Sequence, residues 1–147
     1  MNALLVIDIQ DEYFEKPNKP LKNSFIKNVE TLVKSAQDNN VDTIFIEMGR
    51  KSKTLKTITK HAKRCKTIKK STYSALNALK EHGELGYDEY HICGLYSDIC
   101  VHETARDLLK HGHSVVIHNK AVIVSDRILG YHENLNVCVT SSLKVFN

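Results

Sequence analysis

Short runs of apolar, largely β-branched residues alternate along this chain with segments of helical periodicity, and no other feature limits its fold so strongly. The first run, Ala3–Ile9, is apolar at every position except Asp8, which predicts a strand buried on both faces of a parallel sheet. Further strands are predicted at Thr43–Met48, Glu89–Leu95, Ser114–Ile117 and Val137–Thr140. Strands that alternate with helices form right-handed βαβ units. We therefore expect an α/β fold with three layers (α/β/α), in which a central, mostly parallel sheet lies between helices.

Apolar residues with a period of about 3.6 predict the helices between these strands. Three helices are predicted in this way, over residues 25–36, 74–82 and 101–109. Asn39-Asn40 ends the first, and Gly83 and Gly112 follow the other two, where glycine commonly ends a helix. Residues 55–68 fit neither period well, so a weak helix and a short strand near its end both stay open.

The length and composition are those of one ordinary globular domain. The chain has 147 residues, of which 26% are charged and 41% hydrophobic, so we expect a single domain over residues 1–147. Its first residues lack a basic leader, and no apolar run approaches the roughly 18 residues that cross a bilayer. We expect a cytoplasmic protein whose four cysteines stay reduced. Their spacing contains no C-x-x-C pair of the kind found in zinc sites.

Positive charge is concentrated in one stretch of the chain. From Arg50 to Lys70 there are ten Lys or Arg residues and no Asp or Glu. Such a stretch can attract nucleic acid or an anionic substrate, or it can be a solvated surface of helix and loop. No aromatic residue lies within it to stack on bases, which makes nucleic acid the least favoured of the three. We expect neither a nucleic-acid nor a membrane partner.

Three reactive residues are predicted to lie near the carboxyl ends of strands, where ligands bind in open parallel sheets. Asp8 ends the first strand, Lys70 follows an apolar segment, and Cys100 begins a helix after the strand Glu89–Leu95. Each also has a structural interpretation: a carboxylate that caps a loop, a solvated lysine, and a buried, inert thiol. The three together favour a functional site more than any one of them does.

Cys100 has the strongest individual case. A cysteine in the first turn of a helix lies at the positive end of the helix dipole and near free amides, which we expect to stabilise the thiolate. Ser97 or Asp98 can cap this helix. The same amides could bind the oxyanion that forms when a thiolate attacks a carbonyl. Three other cysteines lie in apolar strands or in the basic stretch and are taken as non-catalytic: Cys65, Cys93 and Cys138.

Three segments resemble the motifs of the isochorismatase-like cysteine hydrolases. Residues 4–10 (LLVIDIQ), followed by Phe14, resemble the opening motif of that family. Residues 70–76 (KSTYSAL) are similar to its Lys-x-x-Tyr-Ser-Ala-Phe segment, and residues 94–101 (GLYSDICV), followed by TARD, match its nucleophile motif. The motifs occur in family order, and the resemblance covers nearly the whole chain. It implies a Rossmann-like α/β fold and a catalytic triad of Asp8, Lys70 and Cys100.

The resemblance also implies a role for each of these residues. Asp8 would take the thiol proton and later activate water, and Lys70 would lie beside both partners and favour their charged forms. Cys100 would form a covalent intermediate that water then releases. The amides of Tyr96 and Cys100 would form the oxyanion hole, for which we expect the Leu95–Tyr96 peptide bond to be cis.

The implied substrate is an amide. Members of the family commonly split amides such as nicotinamide or N-carbamoyl compounds, and an intact Cys100 favours such a substrate over the vinyl ether of the isochorismatases proper. Candidate pocket residues are Gln10, Phe14, Tyr73 and Tyr96, with Tyr13 as a further aromatic, although each could equally be packing. The leading hypothesis is a hydrolase of a small amide or carbamoyl compound that needs no metal or other cofactor and forms a homo-oligomer. The alternative is a non-catalytic member of the same fold that binds a small molecule or serves as a subunit.

One departure from the family pattern concerns possible metal ligands. The Asp-x-His metal site of the nicotinamidases is replaced here by residues 47–50 (EMGR), so we expect no catalytic metal. Seven histidines show no convincing ligand spacing and are expected at the surface: His61, His82, His102, His111, His113, His118 and His132.

The second half of the chain departs from the pattern as well. The common Asp-Ala pair after the strand Ser114–Ile117 is Lys120-Ala121 in this sequence. The chain is also shorter than most relatives, and we expect the helix before the last strand to be cut down to the region around Asp126–Glu133. An edge of the pocket or a partner-facing helix would then be missing.

Overall fold

A six-stranded, open parallel sheet forms the centre of the molecule, with helices on both faces. The computed structural model describes residues 1–14, 22–124 and 135–147. The strand order is β3-β2-β1-β4-β5-β6, and every neighbouring pair is parallel. The predicted α/β fold class is therefore confirmed. The strands are β1 (Asn2–Ile7), β2 (Asp42–Met48), β3 (Cys65–Lys70), β4 (Glu89–Leu95), β5 (Ser114–Ile123) and β6 (Cys138–Thr140). The helices are α1 (Lys22–Asp38), α2 (Lys56–Thr59), α3 (Leu76–Glu81) and α4 (Cys100–Lys110), with a 3₁₀ helix at Asp11–Phe14.

Strand β1 is buried on both faces, as its continuous apolar sequence predicts. Leu4 and Val6 belong to the core beneath α1, whereas Leu5 and Ile7 belong to the core beneath α3 and α4. All four side chains are fully inaccessible to solvent. Because successive side chains of a strand point to opposite faces, a strand covered on both sides must be apolar at each position.

Residues 55–68, which the periodicity left open, contain both a short helix and a strand. The helix is α2, and the strand is β3 at the edge of the sheet. Several side chains of β3 point to solvent, so the strand carries Lys66 and Lys69 and lacks the apolar run of the central strands. Charged residues on an edge strand also prevent pairing with another chain.

Strand β5 is longer than predicted and continues through Ile123. The register between β4 and β5 shifts after the pair Ile92–Ile117 and resumes at Gly94–Val122. The shift adds residues to β5, of which Asn119 and Lys120 are exposed whereas His118 and Ala121 are buried. It explains why polar side chains such as Lys120 interrupt an otherwise apolar strand. The predicted shortened helix around Asp126–Glu133 lies outside the described residues.

Two histidines expected at the surface are buried instead. His118 is completely inaccessible, and His102 is nearly so. The prediction fails for His118 because both of its ring nitrogens find partners inside the fold: His91 Nδ1 at 2.9 Å and the carbonyl of Ser142 at 2.8 Å. A buried polar group with satisfied hydrogen bonds is tolerated in a core.

Within the described ranges, no helix combines the length and the apolar character that crossing a bilayer requires.

Candidate active site

The strand order reverses between β1 and β4, and the three predicted reactive residues meet at this point. β1 pairs with β2 on one side and with β4 on the other. Asp8 follows β1, Lys70 is the last residue of β3, and Cys100 is the first residue of α4 after β4. All three therefore lie at the carboxyl edge of the sheet, next to the crevice in which open α/β sheets bind ligands.

Asp8 leaves the strand in a left-handed conformation. Its φ angle is +54°, and its backbone amide still donates to the carbonyl of Ile46 in β2 at 2.9 Å. This conformation is uncommon for a residue with a side chain, although Asp tolerates it better than most. The carboxylate is buried, which raises the pKa of Asp8, while the charge of Lys70 and hydrogen bonds from Cys100 and Lys70 act in the opposite direction. Because burial is the largest of these effects, Asp8 is a stronger base than an exposed carboxylate.

Lys70 is a buried cation whose position is set by several acceptors. Its Nζ lies 3.0 Å from Asp8 Oδ2, and the two side chains are 1% and 2% exposed. The same nitrogen donates to the backbone carbonyls of Thr72 at 2.9 Å and Tyr73 at 3.0 Å. It also lies 3.4 Å from Cys100 Sγ. A buried charge is tolerated when it is paired and hydrogen-bonded in this way.

Cys100 rests as a thiol, contrary to the expectation that the helix dipole stabilises a thiolate. Burial and the negative charge of Asp8 raise the pKa of Cys100 to about 12, and the charge of Lys70 offsets this only in part. The proposed side-chain cap is wrong too, because Ile99 occupies the N-cap position and α4 has no side-chain cap. Asp8 lies close enough to raise the pKa of the thiol, and Lys70 Nζ contacts both groups, so the base that would accept the thiol proton is beside it.

Gly94 allows β4 to approach β1 closely enough to complete this arrangement. Its φ angle is +124°, and a Cβ at this position would lie 2.0 Å from the carbonyl oxygen of Ile7. No other residue type fits this backbone without displacing one of the strands. The peptide bond between Leu95 and Tyr96, one residue farther along the chain, is cis, as expected. The Tyr96 carbonyl accepts hydrogen bonds from the amides of Ile99 and Val101, which closes the turn before α4.

The four candidate pocket residues lie in different surroundings. Gln10 is buried and braces a loop, donating to the carbonyls of Met48 and Ser52 and accepting from the amide of Met48. Phe14 is 4% exposed and packs on Phe25 in the core beneath α1. Tyr73 is 63% exposed. Tyr96 contacts another aromatic residue that lies near the triad.

That further residue is Tyr13, on the 3₁₀ helix. Its ring packs edge-to-face on that of Tyr96, with centroids 6.1 Å apart, and the Tyr96 hydroxyl donates to the Tyr13 carbonyl at 3.0 Å. Burial, followed by the negative charge of Asp8, raises the pKa of Tyr13 to about 12. Tyr13 is therefore a neutral phenol beside the triad. Sequence reasoning ranked it below its neighbour Phe14 because nothing in the pattern shows which of two adjacent aromatics faces the site.

A cavity of about 380 Å³ opens beside Lys70 and is lined by Met48, Gly49, Arg50, Lys70 and Ser71.

The side chains around the three reactive residues do not fit a metal ion. Across the described segments, no group of three or more His, Cys, Asp or Glu side chains is placed to hold an ion. The nearest carboxylate of β2, Glu47, accepts hydrogen bonds from the amide and hydroxyl of Thr54 at 2.6 and 2.8 Å.

The basic stretch is divided among different surroundings. Lys70 belongs to the triad, and Arg50 lines the cavity beside it. Farther away, Arg64 pairs with Asp42, and Lys66 pairs with Glu84.

Solved structures with the same fold include proteins of several activities. The chain is similar to the MAR1 ribonuclease of Caenorhabditis elegans, with a TM-score of 0.72 and 23% identity over 82% of this chain and 64% of that one. It is also similar to an isochorismatase from Pseudomonas putida KT2440, with a TM-score of 0.78 and 18% identity over 94% of this chain and 86% of that one. For an N-carbamoylsarcosine amidase from Thermoplasma acidophilum, the TM-score is 0.76 and the identity 17%, over 94% of each chain. At these identities the likeness shows a shared fold.

The family itself follows from the sequence match. No curated protein sequence matches the chain. The model of the Isochorismatase domain, however, matches residues 2–135, which include Asp8, Lys70 and Cys100. Because this match extends over most of the chain, the protein belongs to the isochorismatase family.

Proposed function

We propose that this protein is a cysteine-dependent hydrolase of a small amide or carbamoyl compound and that it works without a metal ion. The observation that carries the proposal is the buried contact of three groups: Lys70 Nζ lies 3.0 Å from Asp8 Oδ2 and 3.4 Å from Cys100 Sγ. A base, a cation and a thiol in mutual contact are the parts that nucleophilic catalysis by cysteine requires. Membership of the isochorismatase family and the fold shared with an N-carbamoylsarcosine amidase support an amide-type substrate.

In the proposed reaction the thiol proton moves to Asp8 as Cys100 Sγ attacks the substrate carbonyl. Lys70 stabilises the developing negative charge on sulfur, because its ammonium is held at that position before the reaction begins. Protonated Asp8 then gives the proton to the leaving nitrogen, the C–N bond breaks, and an amine or ammonia departs. Asp8 next removes a proton from water as the water oxygen attacks the acyl-enzyme. The C–S bond then breaks, the acid departs, and Asp8 returns the proton to the sulfur to restore the free thiol. The raised pKa of Asp8 suits this alternation between base and acid.

The position of Cys100 also suits attack on a carbonyl. It is the first residue of α4, and amide groups at the start of a helix have no acceptor within the helix. We propose that the amides of Tyr96 and Cys100 bind the oxyanion, and that Tyr13 and Tyr96 contact the substrate beside it.

A screen of primary amides and N-carbamoyl compounds for ammonia release tests the proposal. We expect turnover by the wild-type protein, none by Cys100→Ala, and wild-type rates for Cys65→Ala, which removes an exposed thiol outside the site. Mass spectrometry of the quenched reaction should find the acyl adduct on the peptide that contains Cys100. Turnover should persist after treatment with EDTA.

Two outcomes contradict the proposal. Comparable activity in Cys100→Ala excludes the cysteine mechanism. Binding of amides by the wild-type protein without any hydrolysis supports the alternative of a non-catalytic small-molecule-binding member of the fold.

A further inference from the structure

A cavity adjoins the three reactive residues at Lys70. It is lined by Lys70, whose ammonium contacts the nucleophilic sulfur at 3.4 Å. Cys100 is not among the lining residues, and Lys70 is the residue that contacts both the cavity and the sulfur. A substrate attacked by Cys100 at its carbonyl carbon would reach the other lining groups by extending past Lys70. With a volume of about 380 Å³, the cavity has room for a small molecule.

The charges around this cavity do not balance. Lys70 is neutralised by Asp8, so the positive charge that remains in the lining belongs to Arg50. The neighbouring carboxylates are engaged elsewhere: Glu47 with Thr54, Glu12 with Ser52, and Asp11 with Lys22. Among residues 1–14, 22–124 and 135–147, no carboxylate forms an ion pair with Arg50.

The loop that carries Arg50 is braced on both sides. The amide of Gly49 donates to the carbonyl of Lys70 at 2.9 Å, and the amide of Lys51 donates to the carbonyl of Met48 at 3.1 Å. The Gln10 side chain donates hydrogen bonds to the carbonyls of both Met48 and Ser52 and so links the two ends of the loop. The backbone of Arg50 is thus held next to the strand that ends in Lys70, and only its side chain is free to adjust.

We propose that Arg50 selects substrates bearing a carboxylate. The inference rests on the proposed function and narrows its substrate class to small amides or carbamoyl compounds with an acidic group at the other end. A planar guanidinium binds one planar carboxylate through two parallel hydrogen bonds, and such charge-assisted pairs are stronger than neutral hydrogen bonds. This also gives a role to the start of the basic stretch, whose cations raise the local concentration of anions.

An alkylation experiment tests the charge preference without requiring turnover. Iodoacetate and iodoacetamide are nearly isosteric and differ in charge, so the ratio of their rates at Cys100 measures the effect of local charge. We compare the wild-type protein, Arg50→Met and Arg50→Lys with Lys53→Met, which removes an exposed cation outside the cavity lining. Arg50→Met should slow labelling by iodoacetate several-fold and leave labelling by iodoacetamide unchanged. Arg50→Lys should keep part of the preference, and Lys53→Met should keep all of it.

Turnover provides the second readout. Succinamate and butyramide form one substrate pair that differs by a carboxylate, and N-carbamoylglycine and methylurea form another. Arg50→Met should raise KM for the two acids about 10- to 100-fold, the range for a lost hydrogen bond to a charged group, and should leave the neutral compounds within about twofold.

The outcomes separate the two proposals. An unchanged alkylation ratio in Arg50→Met overturns the role of Arg50, even if the enzyme hydrolyses amides. A ratio that falls in Arg50→Met but not in Lys53→Met supports that role, even if no amide in the screen is hydrolysed. Failure of both reagents to label Cys100 in the wild-type protein overturns both proposals, because the cavity then gives no access to the sulfur.

Discussion

Asp8 and Cys100 are both acids whose pKa is raised, and a single cation lies between them. Ionising both would place two negative charges beside one Lys70 in a buried site, so one proton is retained by the pair. The resting arrangement is a carboxylate beside a thiol, and Lys70 contacts both. In the proposed reaction, the transfer of one proton from the thiol to Asp8 converts this pair to a protonated carboxyl group beside a thiolate.

This arrangement predicts the pH dependence of the reaction. The value of kcat/KM should rise as Asp8 loses its proton, with a midpoint above the ordinary aspartate pKa of 3.8, and should then stay level through neutral pH. It should not rise again near pH 8.5, where an ordinary free thiol ionises, because burial and Asp8 raise the pKa of Cys100 to about 12. A rate that follows a normal thiol titration would contradict the paired mechanism.

Removing the base tests the same pair from the other side. Asp8→Asn should lower kcat by roughly 10²–10⁴, the usual contribution of a positioned acid–base group, and should leave the fold intact. Asp11→Asn is the matched control, because Asp11 is an exposed carboxylate paired only loosely with Lys22 at 3.7 Å. Equal losses of activity in the two variants would show that neither carboxylate acts as the base.

At this scale the sequence predicts which residues meet but not their protonation. Asp8 interrupts an apolar strand, and Cys100 begins a helix after a strand, so both can be found from the pattern. Whether the pKa of the thiol is raised or lowered depends on how deeply the site is buried and on which charge lies nearest. Neither quantity has a signature in the spacing of residues, and the helix-dipole argument alone gives the wrong sign.

At the scale of elements, β4 lies so close to β1 at Gly94 that no side chain fits between them. Gly94→Ala should reduce the free energy of unfolding by about 3 kcal/mol or more, because the added Cβ would lie 2.0 Å from the carbonyl oxygen of Ile7 at a φ of +124°. Gly86→Ala is the control, since a Cβ there meets no atom within 4 Å. Urea denaturation measures both. If the free energy of unfolding falls no more in Gly94→Ala than in Gly86→Ala, the two strands can move apart at little cost.

The elements themselves could be predicted unevenly, and the reason is burial. Central strands such as β1 are covered on both faces and can be recognised from composition alone. The edge strand β3 has lysines at exposed positions, so its sequence resembles that of a loop. In β5 a register shift brings polar residues into the strand, and the end predicted at Ile117 is the point at which this shift begins.

The last residues of the chain join separate parts of the whole molecule. The carbonyl of Ser142 accepts from His118 in β5, the amide of Val145 donates to Ser35 of α1, and the Asn2 side chain donates to the carbonyl of Phe146. Because the Ser142 carbonyl can only accept, His118 carries its proton on Nδ1 and accepts at Nε2 from His91. His91 in turn contacts Glu89 at 3.0 Å.

This connection predicts that stability falls in mild acid. Burial lowers the pKa of His118 to about 4 from an unfolded value of 6.5. The unfolded chain therefore binds more protons than the folded one between these values, so His118 favours the folded state fully above pH 6.5 and progressively less toward pH 4. The free energy of unfolding should drop about 1–2 kcal/mol more between pH 7 and pH 5 in the wild-type protein than in His118→Gln. Urea denaturation at both pH values measures this, and exposed His111→Gln should behave like the wild-type protein. If the free energy of unfolding drops by the same amount between pH 7 and pH 5 in His118→Gln and in the wild-type protein, folding does not lower the pKa of His118.

The order of the strands makes the triad a consequence of complete folding. Lys70 comes from the edge strand, Asp8 from a central strand two places away, and Cys100 from the helix that follows the other neighbour of that central strand. If β3 were detached while β1 and β4 remained paired, the Asp8 carboxylate would lose its cation and be left as an uncompensated charge beside the thiol. An unpaired buried charge is costly, so such a partly folded state is disfavoured relative to both the native and the unfolded chain. The lysine that we propose for catalysis thereby makes the unfolding of the sheet more cooperative.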